Sequence, residues 1–259
     1  MTRRKFLIGN WKMHKTIAEA RSFAEQLGRQ TTDLPATVDY AVCAPFTVLH
    51  VLTVTLPTRV ALGAQNLYFE PKGAFTGEIS GPMLAEAGAR LVIVGHSERR
   101  QLFGETDDSV EQKVRAVVDA NLTPVLCVGE DRAERIRHQT LAVVERQTVA
   151  GLRRLHPQEV ATTVVAYEPV WAIGSGETPT PEQAEAIIAH IRTVIRREHG
   201  ETAATTVRML YGGSVKPDNV AAFTEQQNID GALVGGASLE ASSFVRLAVG
   251  MAGAGGDHQ

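Results

Sequence analysis

The sequence predicts a single (β/α)₈ barrel, in which eight parallel strands are surrounded by helices. Eight short apolar runs alternate with longer amphipathic segments, at residues 6–8, 40–44, 60–64, 91–94, 125–128, 162–167, 207–211 and 232–234. Several runs are continuously apolar, as expected for parallel strands buried on both faces. Eight runs with a crossover after each fit a barrel of about 250 residues. An open doubly wound sheet is the alternative, but the glycine-rich phosphate turn typical of its first crossover is absent from residues 9–12.

The helices of the crossovers have readable starting points. Thr16 and Glu19 form the pattern of a capping box, and Thr180 and Gln183 form another, with Pro181 at the first helical position. Apolar residues at helical spacing follow in the sets Ala20, Phe23, Ala24 and Leu27; Val110, Val114, Val117 and Val118; and Ala184, Ile187, Ile188, Ile191, Val194 and Ile195. These patterns predict amphipathic helices that pack on the barrel.

The chain shows no internal boundary. Residues 132–155 predict one longer helical stretch, and no linker or low-complexity segment divides the chain. We therefore expect one domain over residues 1–259, in which residues 250–259 form a loose C-terminal tail.

Composition excludes several classes of partner. The chain is 44% apolar and 21% charged, with a net charge of −3 and a pI near 6.3. No bulk positive field attracts nucleic acid or an anionic membrane, and no stretch approaches 18 apolar residues. The apolar run at 6–8 is too short for a signal peptide. Cys43 and Cys127 lie in apolar runs, a pattern that favours two buried thiols over a disulfide. We therefore expect a reducing compartment, which indicates a cytoplasmic location.

Polar residues and glycines cluster where the predicted strands end. These residues are Asn10 and Lys12; Gln65 and Asn66; His96, Ser97 and Glu98; Glu130; Glu168; Gly213 and Ser214; and Gly235 and Gly236. In a barrel the carboxyl ends of all strands meet on one face, which is where barrel active sites lie. Residues about 150 positions apart can therefore face one small ligand.

The glycines after the last two runs predict a phosphate site. Gly213-Ser214 and Gly235-Gly236 allow backbone N–H groups to approach a ligand closely, and phosphate is the usual anion at these strands. Tight turns would explain either pair alone equally well. Two pairs after neighbouring strands favour the phosphate interpretation.

Three ionisable residues are candidates for chemistry, and each has an alternative. Lys12 is either a solvated surface lysine or a contact to an anionic substrate. His96 is either a structural histidine or a neutral hydrogen-bond donor at a helix N-terminus. Glu168 is either a buried ion-pair partner or a general base beside a glycine-containing loop, with a pKa that rises when the loop excludes water.

Seven separated motifs resemble the triosephosphate isomerase family. They are GNWKMHK (9–15), GAQN (63–66), KGAFTGEIS (72–80), GHSERR (95–100), AYEPVWAIGSG (166–176), YGGSV (211–215) and DGALVGGASL (230–239). The resemblance extends over nearly the whole chain. It implies interconversion of dihydroxyacetone phosphate and glyceraldehyde 3-phosphate, without metal or organic cofactor.

The resemblance also implies roles for individual residues. Glu168 matches the catalytic base, His96 the electrophile that shuttles protons at oxygen, and Lys12 the cation that pairs with the substrate. Asn10 matches a neighbour of the oxyanion, and Glu98 a carboxylate close to Lys12 and His96. The phosphate-binding positions are Gly174, Ser214, Gly235 and Gly236.

The segment after Glu168 resembles a closing lid over residues 169–179. Its far hinge departs from the common Lys-Thr-Ala and reads Glu177-Thr178-Pro179. Proline has no N–H, so the hydrogen bond that the family makes from the tyrosine matching Tyr211 to that backbone position cannot form. We expect Ser214 and the stiffness of Pro179 to hold the closed lid instead, and we expect Glu177 to face solvent with little consequence.

The long connection at residues 66–80 implies a second subunit. In the family this loop enters a partner, with the residue matching Thr76 reaching the partner's Asn10 and Glu98. A homodimer is the expectation, with a tetramer left open.

Two alternative functions are another phosphosugar-binding barrel enzyme and a non-catalytic binding barrel. Lys12, His96 and Glu168 are all present, which favours the isomerase over both.

Overall fold

Eight parallel strands close into a barrel in chain order. The computed structural model describes residues 3–173 and 176–253. The strands are β1 (Lys5–Asn10), β2 (Val38–Ala44), β3 (Val60–Ala64), β4 (Leu91–Val94), β5 (Thr123–Val128), β6 (Val164–Tyr167), β7 (Arg208–Tyr211) and β8 (Gly231–Val234). Each strand pairs with the next, and β1 pairs with β8, with Leu7 opposite Ala232. The predicted fold class is confirmed, and each of the eight runs contains a strand, although the sixth strand begins at Val164 and the seventh at Arg208.

Alternate residues of the strands fill the inside of the barrel. This interior cluster consists of Phe6, Ile8, Ala41, Cys43, Leu91, Ile93, Val125, Cys127, Val164, Ala166, Leu210 and Leu233. Since side chains of a strand alternate between two faces, the intervening residues point outward and pack against the helices. Both cysteines are free and fully buried, and burial raises the pKa of each thiol. The inside of the barrel is therefore a packed core, and the candidate site lies at the carboxyl end of the strands.

Helices cover the outside of the barrel. They are α1 (Ile17–Arg29), α2 (Leu49–Thr55), α3 (Gly81–Glu86), α4 (Ser97–Phe103), α5 (Asp107–Asp119), α6 (Arg132–Ile136), α7 (Thr140–Leu152), α8 (Pro157–Thr162), α9 (Pro181–Thr206), α10 (Val220–Thr224) and α11 (Ala241–Ala252). The capping boxes at Thr16 and Thr180 are both present. Across residues 3–173 and 176–253, no helix has the length and apolar character needed to cross a membrane.

Two details of the sequence-based prediction were wrong. The single helical stretch at 132–155 is two helices, α6 and α7, because His138 takes a left-handed conformation with φ 55° and interrupts them. The loose tail does not begin at Gly250, since α11 continues to Ala252 and Met251 is fully buried. The sequence-based prediction placed the end of the ordered chain at Gly250, but the apolar residues of α11 continue to pack on the barrel beyond that glycine. Residues 254–259 lie outside the described part of the chain.

Candidate active site

A cavity of about 240 Å³ lies at the carboxyl end of the barrel. Seven of the predicted site residues line it together: Asn10, Lys12, His96, Glu168, Ser214, Gly235 and Gly236. Glu98 lines an adjoining cavity that shares Asn10, Lys12 and His96. Gly174 lies outside the described residues. The barrel therefore brings together residues that are more than 200 positions apart in the chain.

The end of β1 positions a cation at the rim of this cavity. Lys12 adopts a left-handed backbone conformation with φ 51°, and its N–H donates to Asn10 Oδ1 (3.1 Å). The amide of Gln65 donates to the carbonyls of Lys12 and Cys43, both at 3.0 Å. The Lys12 ammonium in turn donates to Glu98 Oε1 at 2.5 Å. These contacts hold the turn after β1 and direct the Lys12 side chain toward the cavity.

His96 stands at the N-cap of α4. Gly95, with φ 71°, turns the chain after β4, and the Nδ1 atom of His96 accepts a hydrogen bond from the Glu98 N–H (3.2 Å). The proton of the neutral ring must then be on Nε2, which lies 3.0 Å from Glu168 Oε1. The helix start thereby fixes the tautomer that presents Nε2–H to the cavity.

Glu168 follows β6 directly and is only 2% exposed. Its backbone N–H donates to Val128 O (2.8 Å), which continues the strand pairing by one residue. Its Oε2 atom accepts from the Ser97 N–H (3.1 Å), while Oε1 faces His96. The carboxylate is thus buried, and the start of α4 provides its partners.

Glu168 and His96 shift each other's pKa in this arrangement. Burial raises the pKa of Glu168, but the charge and hydrogen bond of His96 and the Ser97 N–H outweigh it and the net shift is downward. Burial lowers the pKa of His96, yet the Glu168 carboxylate together with the charge of Glu98 outweighs burial, and the net shift is upward. A buried ion pair was one of the two sequence-based interpretations of Glu168, but the sequence did not identify His96 as its partner.

Glycines next to the site leave room for its side chains. A Cβ atom on Gly212 would lie 2.9 Å from Glu168 Cγ, and one on Gly235 would lie 3.4 Å from Lys12 Cε. A side chain at position 212 would therefore push against the carboxylate-bearing side chain. Gly236 has open space on its Cβ side, so its backbone is accessible from the cavity.

Comparison with known proteins identifies the family of the chain. A family model described as triosephosphate isomerase matches residues 5–251. The chain belongs to the triosephosphate isomerase family. It is 51% identical over 247 residues to the triosephosphate isomerase of Symbiobacterium thermophilum, which covers 95% of this chain and 96% of that protein. It is 49% identical over 246 residues to that of Endomicrobium trichonymphae, at 95% and 98% coverage. The chain is therefore an enzyme, an isomerase of the triosephosphate type.

A buried network beside the triosephosphate isomerase site was not predicted. Glu130 is fully buried and accepts hydrogen bonds from the Tyr167 hydroxyl (3.1 Å) and the Trp171 indole N–H (2.8 Å). The Arg135 guanidinium lies 3.8 Å from the centre of the Trp171 ring. Burial raises the pKa of Glu130 despite these donors. The sequence placed Glu130 at a strand end, but nothing in its spacing identified the two aromatic partners.

Residues near both ends of the proposed lid contact the rest of the chain. Ser214 Oγ donates to Ala172 O (3.0 Å) at the near end. At the far end, the hydroxyls of Tyr211 and Thr178 share a hydrogen bond (3.2 Å), and Arg132 pairs with Glu177 (2.6 Å). The Tyr211 hydroxyl therefore has a partner on the residue before Pro179. Glu177 is half-exposed, as expected, but it also makes an ion pair that the sequence did not indicate.

Proposed function

We propose that this chain interconverts dihydroxyacetone phosphate and D-glyceraldehyde 3-phosphate through an enediolate intermediate. The observation that carries the proposal is the single cavity shared by a carboxylate, an imidazole and an ammonium with Ser214 and the glycines after β8. Proton abstraction next to a carbonyl requires a base on carbon and an electrophile on oxygen. Glu168, His96 and Lys12 supply these groups from three different strand ends.

Glu168 acts as the base in this mechanism. To reach a substrate carbon, its carboxylate leaves the Ser97 N–H and His96 and turns into the cavity. Gly212 has no Cβ, so no side chain there presses on the adjacent Glu168 Cγ. It takes a proton from one carbon and returns a proton to the neighbouring carbon. The departure removes the contacts that lower its pKa, so the carboxylate becomes a stronger base as it approaches the substrate.

His96 and Lys12 stabilise the charge that forms on oxygen. The Nε2–H of His96 donates to the carbonyl oxygen and moves a proton between the two oxygens of the enediolate. When Glu168 moves away, the His96 pKa falls and the neutral imidazole is favoured. The hydrogen bond from the Glu98 N–H to Nδ1 already holds that neutral ring with its proton on Nε2. Lys12 contributes its charge, while Asn10 holds the turn that carries Lys12 and lies beside the oxyanion. Glu98 keeps the ammonium at the rim.

The phosphate of the substrate occupies the end of the cavity formed by Ser214, Gly235 and Gly236. Backbone N–H groups of these residues, together with Gly174 as the family resemblance implies, would hold the anion. Residues 169–179 close over it as a lid. A phosphorylated enediolate readily eliminates phosphate, so a lid that restricts its motion and excludes water protects the intermediate.

The wider setting follows from the family. We place the enzyme in the cytoplasm, in glycolysis and gluconeogenesis, and expect a homodimer. The loop at 66–80 supports the dimer because its residues 71–78 are all exposed, including Thr76 and Phe75. Thr76 would meet Asn10 and Glu98 of a second copy.

A direct assay tests the proposed function. The purified chain, in buffer with excess chelator, is mixed with dihydroxyacetone phosphate, and the products are followed by NMR. We expect formation of D-glyceraldehyde 3-phosphate to equilibrium, and no conversion of unphosphorylated dihydroxyacetone at a comparable rate. Equal rates on both compounds, or no conversion of the phosphate ester, would contradict the assignment.

A further inference from the structure

A second cleft, of about 370 Å³, also reaches Glu168. It runs between the carboxyl ends of β4 and β5 and the helices α4, α5 and α7. Glu168 lines this cleft and the substrate cavity alike. The carboxylate therefore stands between two spaces, of which the mechanism above uses only one.

The second cleft leads from solvent to a buried end. Its outer part is lined by Gln101, Thr106 and Arg146, which are exposed. Its inner part is lined by Ser97 and Cys127, which are buried, and by Glu168. In the observed position the Glu168 carboxylate bonds to the Ser97 N–H, on the wall of this cleft.

Buried polar atoms without protein partners line the cleft. Within the described part of the chain, Ser97 Oγ, Arg100 Nη2 and Glu105 Oε2 have no hydrogen-bond partner. Arg100 is held in place by Gly95 O (2.9 Å) and Asp107 (2.7 Å), and its Nη2 lies beside Gly95, which also lines the cleft. Buried hydroxyl and guanidinium groups of this kind bind ordered water, and the space is large enough for several molecules at about 30 Å³ each.

We propose that this cleft is a hydrated port through which Glu168 exchanges its proton with solvent while the substrate cavity is occupied. The inference rests on the proposed function. After abstraction, Glu168 is a neutral acid that can turn back toward Ser97. There it gives its proton to a water molecule in the cleft and receives another from the same water network, so that charge and atoms balance. The cleft shares Val170 with the proposed lid, but its mouth lies at Gln101, Thr106 and Arg146, so exchange does not require the intermediate to be exposed.

The fate of the abstracted hydrogen reports on exchange through the port, because this hydrogen has two possible fates. Either Glu168 returns the original hydrogen to the neighbouring carbon, or it exchanges first and returns a solvent hydron. The reaction is run in D₂O from D-glyceraldehyde 3-phosphate, and NMR gives the ratio of deuterium-labelled to hydrogen-transferred product. Access through the cleft sets this ratio, whereas substrate binding and the chemical step set turnover.

Variants at the mouth of the cleft test the proposal. Gln101→Trp narrows the mouth and should lower the ratio at least about twofold with turnover retained, whereas Gln101→Ala should raise it. Gln158→Trp, the same change at an exposed helical position outside the cleft, is the matched control and should leave the ratio unchanged. Equal ratios in Gln101→Trp and Gln158→Trp would overturn the port.

A variant inside the cleft covers the case in which Gln101→Trp does not fold. Ser97→Ala removes the inner hydroxyl without adding volume and should also lower the ratio; an unchanged ratio would reject the port. The two hypotheses remain separable. Turnover by the wild type with no change of ratio in any variant rejects the port alone, whereas absence of wild-type turnover rejects the proposed function and the port with it.

Discussion

At the scale of single residues, the contact between Glu168 and His96 dominates the site. Each of the two groups is almost fully buried, and each has its charged form stabilised by the other. In the proposed mechanism this is a resting arrangement, which substrate must disrupt. The tautomer of His96 does not depend on this contact, because the Glu98 N–H fixes it from the other side of the ring.

The raised pKa of His96 gives the first prediction. In the free enzyme, ¹⁵N NMR of the imidazole should show His96 titrating above its ordinary value of 6.5. Because the folded-state pKa is raised, the stabilisation from the pair is complete below pH 6.5 and is lost as the pH rises through the raised value. Glu168→Gln keeps the side-chain shape but removes the charge, so burial is then opposed only by the charge of Glu98 and the His96 pKa should fall relative to the wild type. A titration that is the same in both proteins would contradict this electrostatic account.

At the scale of elements, the far hinge of the lid differs from the common family pattern. Pro179 removes a backbone donor, and the Tyr211 hydroxyl instead pairs with Thr178 on the preceding residue. The sequence predicted the lost bond but not its replacement, since nothing in the spacing shows which hydroxyl a buried phenol will reach. Burial raises the pKa of Tyr211 to about 12, so it stays a neutral hydrogen-bonding group at physiological pH.

This hinge supplies a second prediction. Tyr211→Phe and Thr178→Val each remove one side of a hydrogen bond worth about 1 kcal/mol, so each should slow turnover by about fivefold. The double variant should be little worse than either single one, because the same bond is lost in all three. Thr178→Ser retains the hydroxyl and serves as the control. Additive losses in turnover would show that the two hydroxyls act separately. The same Tyr→Phe change can be made in a relative that has alanine at the position of Pro179. An equally severe loss of turnover in the two proteins would rule out our account of Pro179.

Prediction from sequence succeeded where local patterns carry the information. Continuous apolar runs identified all eight strands, and the capping boxes at Thr16 and Thr180 located helix starts. Most candidate site residues were chosen for their place at strand ends, whereas Gly174 and Thr76 came only from the family resemblance; their roles remain predictions. The network around Glu130 and the second cleft could not be predicted, because both depend on how helices and loops pack in three dimensions. The break at His138 was missed because its left-handed conformation has no strong sequence signal.

At the scale of the whole molecule, the main open expectation is the second subunit. Exposed apolar side chains occur near the carboxyl end of the barrel and on the long loop, at Met13, Phe46, Phe75, Leu102 and Phe103. A surface of this kind is typical of a protein–protein interface. The cavity beside Glu98 is lined by Met13, Phe46 and Phe103 from this set, so a partner loop there would lie next to the catalytic cation.

The dimer expectation gives a third prediction. Sedimentation of the wild type should give a dimer, whereas Thr76→Arg should give a monomer with strongly reduced turnover, because a bulky cation would meet the rim that carries Lys12. Glu182→Arg, at the exposed start of α9, is the control for the added charge. A wild-type protein that is monomeric and fully active would contradict the proposed role of the loop at 66–80.

The central claim is that Glu168 moves the proton between the two substrate carbons. The measurement that tests it most directly is a coupled isomerase assay of the wild type against Glu168→Gln, with Glu182→Gln as a control for loss of a carboxylate elsewhere. Removal of a general base should lower kcat by about 10²- to 10⁴-fold, with a smaller change in KM. Comparable kcat values in the wild type and Glu168→Gln would contradict the account.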